Sequence, residues 1–368
     1  MSVSFRPFAA GFASFLVSPV AVAQDGAAQS FPSMFNPSIS VNGLFLGSFQ
    51  ANDGEVVKVP PPEGEDDPDA LPGQGETFGT GLSIQEVEVQ FKAAVDPYFQ
   101  ANFILAIPGI EGIEIEEGYA TLVFIPRVLI NVGKLKEPFG RENLVHTHAL
   151  MTIDRALVSQ RVFGGEGLND VAINAAVLLP LPWYAEITLG VDAGSNAVVL
   201  ASGDPVGFGY MGHLKNVIDL GPGTTIEVGA SGLTGPNAYG GLSVVAGADV
   251  TLKSRGHGMG QWRRFVWQTE YLYASVPGAD EDEVGGLYTT IEGSWSKRFW
   301  LGGRFDAVGL PAATEPTWGG TLIAAYAPTE FSVVRLQAQR QFLPDGHHID
   351  EVTAQLNVTI GNHPAHAY

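Results

Sequence analysis

Near the C-terminus, Val352, Ala354, Leu356, Val358 and Ile360 alternate with Thr353, Gln355, Asn357 and Thr359. A period of two makes a β-strand with one apolar and one polar face. The polar face carries amides and hydroxyls, which do not pack a dry core. In a soluble sandwich the apolar face would turn inward. In a transmembrane barrel it turns out to lipid and the polar face lines a lumen. Within His348–Tyr368 this strand runs almost to the end of the chain, which closes on an aromatic, Tyr368. An antiparallel barrel must pair its first strand with its last, because lipid cannot satisfy an open edge.

The same alternation recurs upstream. Ile39, Val41, Gly43, Phe45 and Gly47 mark a first strand; Val87, Val89, Phe91, Ala93 and Val95 mark a second, with Glu86, Glu88, Gln90 and Lys92 opposite. Strands follow at Phe99–Ile107, Ile113–Phe124 and Val128–Lys134. Ten more fall near Asn169–Leu179, Trp183–Asp192, Phe208–Leu220, Thr224–Leu233, Tyr239–Lys253, Trp262–Ser275, Leu287–Ser296, Phe299–Val308, Thr321–Ala327 and Phe331–Phe342. With the closing strand this gives about sixteen. The predicted class is an all-β, transmembrane antiparallel barrel spanning 38–368.

Connections alternate long and short, as outer loops and periplasmic turns do in such barrels. The long set is Ala51–Thr80, Lys136–Gly167, Ala193–Gly207, Val276–Gly286 and Gly309–Gly320. The short set is Asp96-Pro97, Ile125-Pro126, Pro180-Leu-Pro182, Gly221-Pro-Gly223, Ser296–Arg298 and Pro328-Thr329, with Ser254–Gln261 longer than its place predicts. Trp183, Tyr184, Trp262, Trp267, Tyr271, Tyr273, Trp295, Phe299 and Trp300 fit aromatic girdles at the two water–lipid boundaries.

Composition narrows the picture. Charged residues make up 16% of the chain, against about a quarter in soluble domains. There is no cysteine, so no disulfide or thiolate chemistry arises. Residues 1–23 read as a secretory signal, with Arg6, an apolar Ala9–Val22 and the small-residue site Ala21-Val22-Ala23, followed by a short periplasmic segment, 24–37. The net charge of −20 argues against nucleic acid as a partner. Loop 51–80 concentrates Pro60-Pro61-Pro62 and the acidic run Glu63–Asp69; prolines and like charges favour an extended loop.

A wide barrel needs a constriction to sort solutes. Loop 136–167 is the candidate, with Lys136, Arg141, His146, His148, Asp154, Arg155, Arg161 and Glu166 as pore-constriction residues. Asp154 and Arg155 could equally pin the loop to the wall. Strand alternation turns Glu86, Glu88, Lys92, Lys215, Arg264, Glu270, Glu292, Arg304, Asp306 and Arg335 toward the lumen. Arg264, Arg304 and Arg335 could instead pair with Glu270, Glu292 or Asp306 on neighbouring strands. Catalytic patterns are missing: no Gly-x-Ser-x-Gly elbow occurs, and the glycines lack a strand–loop–helix phosphate context. His146/His148 and His347-His348 each offer two donors where zinc wants three or four, so no metal or other cofactor is expected.

The stretch Gly133-Lys-Leu-Lys-Glu-Pro-Phe-Gly140, followed by Arg141-Glu-Asn-Leu-Val-His146, resembles the phosphate-selective porin family (porins O and P). Thr152-Ile-Asp-Arg155, Phe163-Gly-Gly-Glu-Gly167 and the tail Gly361–His366 are also similar. The resemblance implies a sixteen-stranded barrel, usually a homotrimer, with its third outer loop folded into the lumen. Alternation also turns Glu117, Glu186, Glu227 and Asp249 inward, so the lining departs from that family's basic ladders by an acidic excess, and Tyr368 replaces the usual terminal phenylalanine. The function expected is passive diffusion of small hydrophilic solutes or ions across an outer membrane, in contact with lipid and lipopolysaccharide, with weak cation preference or none. Two other readings stay open: a non-channel adhesin or scaffold acting through loop 51–80, and an enzyme with a site at the barrel rim.

Overall fold

The computed structural model describes residues 37–57, 78–109, 112–201, 207–256, 262–313 and 315–361. The signal 1–23, nearly all of 24–37, most of the acidic loop, part of Ser254–Gln261 and the tail to Tyr368 lie outside them. The strands, in chain order, are β1 (Ser38–Asn52), β2 (Glu55–Val57), β3 (Gly81–Ala94), β4 (Phe99–Pro108), β5 (Glu114–Leu122), β6 (Val128–Lys136), β7 (Asn169–Leu178), β8 (Tyr184–Asp192), β9 (Gly209–Gly221), β10 (Thr224–Pro236), β11 (Leu242–Arg255), β12 (Arg264–Ser275), β13 (Glu283–Ser294), β14 (Phe299–Val308), β15 (Thr317–Thr329), β16 (Ser332–Phe342) and β17 (His348–Gly361). One short helix, α1 (Leu157–Phe163), interrupts them between β6 and β7. No helix among the described residues is long and apolar enough to cross a membrane.

Sixteen long strands form a closed antiparallel barrel; β2 only extends the hairpin that leaves β1, pairing Glu55–Val57 with Gln50–Asn52. Closure is continuous: β1 pairs with β17 from Ser40↔Gly361 to Asn52↔Ile349. No open edge is left for lipid to strand. The long strands run from 9 to 15 residues, enough to cross about 30 Å of hydrocarbon when tilted.

The faces sort opposite to those of a soluble protein. In β16, Arg335, Gln337, Gln339 and Gln341 are buried, while Val334, Leu336 and Phe342 are exposed. In β17 the amides and hydroxyls from Thr353 to Thr359 are buried; Val352, Leu356 and Ile360 are exposed. At the short-turn end, Tyr98, Phe124, Trp183, Trp295, Phe299, Tyr326 and Phe331 form an exposed aromatic ring; at the other end stand Phe49, Phe208, Tyr210, Trp318 and Phe342.

Three expectations need adjustment. β15 starts at Thr317 and runs through Pro328-Thr329, so its turn falls at 330–331. The Gly319-Gly320 pair hid the start of the strand. Gly319 is small because Leu157 of α1 lies against it: a Cβ there would sit 3.0 Å from Leu157 Cδ1. The insert predicted from Ala51 begins instead as ordered hairpin, through Asn52 and β2. Finally, Lys136 ends β6, so the long connection proper is 137–168.

Candidate functional site

Segment 137–168 carries bonds to inward faces on several sides of the barrel. Its start is set by Gly140, whose positive φ of 62° suits glycine and whose missing Cβ leaves room for Glu270. The Gly140 N–H donates to Ser231 Oγ at 2.8 Å, and the N–H groups of Arg141 and Glu142 donate to Glu270 Oε2 at 3.3 and 3.2 Å. Tyr288 donates to the same oxygen at 3.0 Å. Glu270 is therefore buried as an acceptor for the loop backbone and is not free to meet solute.

Further along, Asp154 meets the opposite wall. Arg304 Nη2 contacts Asp154 Oδ2 at 2.7 Å, and its Nε contacts Asp306 Oδ2 at 2.7 Å, with the guanidinium fully buried. Arg304 Nη1 also donates to Thr152 Oγ1 and to the Asp154 carbonyl. Gln337 completes the clasp: its Nε2 donates to Asp154 Oδ1 at 2.6 Å, while its Oε1 accepts from Ile153 N at 2.8 Å. Arg335 donates to the Leu150 and Thr152 carbonyls and to Gln355 Oε1. Asp306 accepts from Leu157 N at 3.0 Å, just where α1 begins. Arg304 thus pairs with Asp306 two residues along its own strand and with the segment, rather than with Glu270 or Glu292.

A third contact is made by the turn at Thr147–Ala149. His146 Nδ1 lies 3.1 Å from Glu116 Oε1 and 3.7 Å from Glu88 Oε2; its Nε2 is 3.5 Å from Glu117 Oε2. His148 Nδ1 lies 3.1 Å from Glu88 Oε2, and the two imidazoles stack with centroids 5.8 Å apart. Lys136 Nζ is 3.0 Å from Glu116 Oε1 and donates to the Glu166 carbonyl. Burial works against a charge on His146, but the Glu116 and Glu88 carboxylates outweigh it and raise its pKa well above the ordinary imidazole value.

The rest of the segment holds itself together. Arg155 donates to the Glu142 and Val145 carbonyls, so it braces the loop internally, whereas Asp154 pins it to the wall. Asn143 bridges the Glu137 and Leu168 carbonyls and accepts from Leu168 N. Burial, with Asp192 and Asp170 nearby, pushes Glu137 up to about 8, against the pull of the Asn174 amide bond. One flank is apolar: Phe139, Val158, Val162, Phe163 and Leu168 pack with Met211, Leu233, Val245, Leu272 and Ala274 of β9–β12. Here the inward face is greasy, a local reversal that strict alternation of polar-in residues does not foresee.

Other predicted residues lie apart. Arg161 is exposed and pairs with Glu281 at 2.7 Å in the β12–β13 connection, and Glu166 is exposed at its side chain. Lys215 pairs with Glu227 at 3.1 Å, near Arg141 and Lys253. Glu86, Lys92, Arg264 and Glu292 stay partly water-accessible on inward positions. Sequence reading missed Glu116, Glu142, Asn143, Thr152 and Gln337. Glu116 was hidden by a register shift between Ile104 and Leu105, which lets both Glu116 and Glu117 turn inward where alternation allows one. The amides carry no charge to draw notice.

No family model matches the chain. A protein of Aquifex aeolicus (strain VF5), named only as an uncharacterized protein, is 27% identical over 338 residues, covering 78% of this chain and 70% of that one. Among solved structures, the chain is similar to the anion-selective porin from Comamonas acidovorans, with a TM-score of 0.59 at 9% identity over 88% of this chain and 100% of that one. It is similar to the outer membrane channel DcaP of Acinetobacter baumannii, at 0.58 and 12% identity over 90% and 99%. It is also similar to OmpT, an outer membrane protein of Vibrio cholerae, in its trimer form, at 0.53 and 10% identity over 88% and 99%. The likeness is one of fold, the sixteen-stranded porin-type barrel, and it singles out no phosphate-selective subfamily.

Proposed function

We propose that this chain is an outer-membrane porin, a passive diffusion channel for small hydrophilic solutes or ions whose lumen is narrowed by segment 137–168. The observation that carries the reading is the clasp between that segment and the wall: Arg304 and Gln337 hold Asp154 while Glu270 holds the segment's start. Such bonds fix a constriction in place against thermal motion. The apolar outer belt and its two aromatic rings suit lipid and the lipopolysaccharide boundary. The porin-type neighbours, one of them in a trimer form, support assembly as a homotrimer.

The channel is weakly selective by charge. The acidic excess counted along the chain does not reach the water path, because Glu88, Glu116, Glu270 and Asp306 are buried in contacts with the segment. The described inward charges that keep water contact are of both signs: Lys92, Arg141, Lys253 and Arg264 with Glu86, Glu186, Glu227 and Glu292, Glu227 lying within electrostatic reach of Arg141 and Lys253 and Glu292 within reach of Arg264. A lining of mixed sign sets local fields with little net preference for either charge.

The test is single-channel recording in a planar bilayer under a salt gradient, using the refolded chain without its predicted leader. Stepwise openings with a reversal potential near zero are expected. A folded, heat-modifiable barrel that never conducts would refute the channel and leave the adhesin or scaffold reading. Cross-linking in detergent reads the trimer.

A further inference from the structure

Among the described residues, a set of ligating side chains gathers under the Thr147–Ala149 turn, apart from the Arg304 clasp. Glu88 on β3, Glu116 on β5 and His146 on the segment bring one donor atom each to within 4.8 Å of one another. His148 Nδ1 is 3.1 Å from Glu88 Oε2 and so stands at the edge of the same group. The spacing has a chemical reading. Ligands about 2.0–2.1 Å from a tetrahedral zinc stand about 3.3 Å from each other. The separations from His146 Nδ1 are 3.1 Å to Glu116 Oε1 and 3.7 Å to Glu88 Oε2.

Charge points the same way. Glu88, Glu116 and Glu117 are buried together, with Glu86 within electrostatic reach, and they outnumber the Lys136 ammonium and the His146 imidazole set against them. Buried carboxylates in such number call for a cation. A second observation is independent of the count. Glu116 Oε2 is buried and has no hydrogen-bond partner, although its sister oxygen already meets both His146 and Lys136. An orphaned anionic oxygen inside protein is costly unless something binds it. The side chain of His146 is 20% exposed, so the group opens toward water on that side.

We propose that Glu88, Glu116 and His146, with His148 beside them, form a binding site for one divalent cation of zinc's class. Two carboxylates and one or two imidazoles suit a borderline metal better than calcium or magnesium, which prefer oxygen throughout. The ligands come from two wall strands and from segment 137–168, so the bound ion would staple that segment to the wall on the side opposite Arg304. Lys136 keeps its bonds to the Glu166 carbonyl and to Glu116 Oε1, a neighbour of the ligand rather than a ligand, and leaves Glu116 Oε2 for the ion. The site does not depend on whether the barrel conducts.

The full chain, folded in detergent, is stripped with chelator, dialysed against zinc chloride and counted by elemental analysis. One zinc per chain is expected, and cobalt(II) in its place should give visible ligand-field bands with the intensity of a four- or five-coordinate site. Glu116→Gln and His146→Ala should each weaken zinc binding by at least about tenfold, since each removes a ligand of a three- or four-ligand site. The rival is the exposed rim group of His347, His348 and Asp53. His347→Ala with His348→Ala should therefore leave the count unchanged. No retained zinc and no cobalt bands in the wild type would overturn the proposal without any variant. So would zinc lost only from the rim variant, or retained equally by folded Glu116→Gln. If either site variant fails to fold, the wild-type count, the cobalt spectrum and the rim variant still decide.

Discussion

Replacing Arg304 by Met removes the charge that lies between Asp154 and Asp306 and keeps most of the side-chain length. In the wild type this guanidinium is fully buried and makes charge-assisted bonds of 2.7 Å to each carboxylate. Its loss leaves two buried carboxylates facing each other across the position, with Arg335 within electrostatic reach of Asp154. Breaking a buried pair by removing one partner costs about 3–5 kcal/mol. The cost falls on the clasp, because the barrel wall keeps its backbone ladder on both sides of β14. A segment held by that margin less detaches roughly a hundredfold to a few thousandfold more often. In a bilayer the variant should show a larger and noisier unit conductance, and hydrogen exchange at Ile153 and Leu157 should quicken while β16 and β17 stay protected. Neutralising the acids as well, as Arg304→Met/Asp154→Asn/Asp306→Asn, should recover part of the loss, since the penalty comes from stranded charge. Unchanged conductance and unchanged exchange in the single variant would refute the view that this clasp holds the segment.

Other consequences can be checked in the same preparations. Glu137 is raised to about 8 in the folded chain, above its ordinary carboxylate value, so its contribution is full below about pH 4.5 and is lost as pH rises through about 8; exchange at Phe139 and Leu168 should quicken across that window, and Glu137→Gln should flatten the response. Gly140→Ala should disrupt the start of the segment, because its φ is positive and the new Cβ would collide with Glu270 Oε1, whereas Gly320→Ala, with nothing within 4 Å, should be tolerated; heat-modifiability on gels and conductance distinguish the two. Leu322→Arg places a charge on an outward position that is 70% exposed near the middle of β15, which should cost about 2–4 kcal/mol of folding free energy in lipid vesicles, read by urea titration.

The barrel was legible because its signal repeats. The middles of β16 and β17 alternate cleanly, and an inward face made mostly of amides and hydroxyls tells lumen from core. Element ends were less so where glycine or proline sits inside a strand, as at Gly319-Gly320 and Pro328. The charges on inward positions were found by counting residues, but their partners were not. Alternation says which way Arg304 points; it says nothing of Asp154, which lies 150 residues earlier in a connection with no period. The segment's structure rests on tertiary bonds through Asn143, Gln337 and buried backbone groups, and no local propensity encodes these. The bulge that turns Glu116 inward is likewise a property of two strands together.

The union of β1 with β17 joins the two ends of the described chain residue by residue. That seam cannot form until β17 has been made, so among the described strands the ladder on which the closed shape depends has the highest contact order. Until then both edges stand open, each an unpaired template able to recruit another chain. A nascent chain of this kind therefore needs an escort that shields two edges at once, and a lesion near residue 355 should harm biogenesis well before it harms the finished wall.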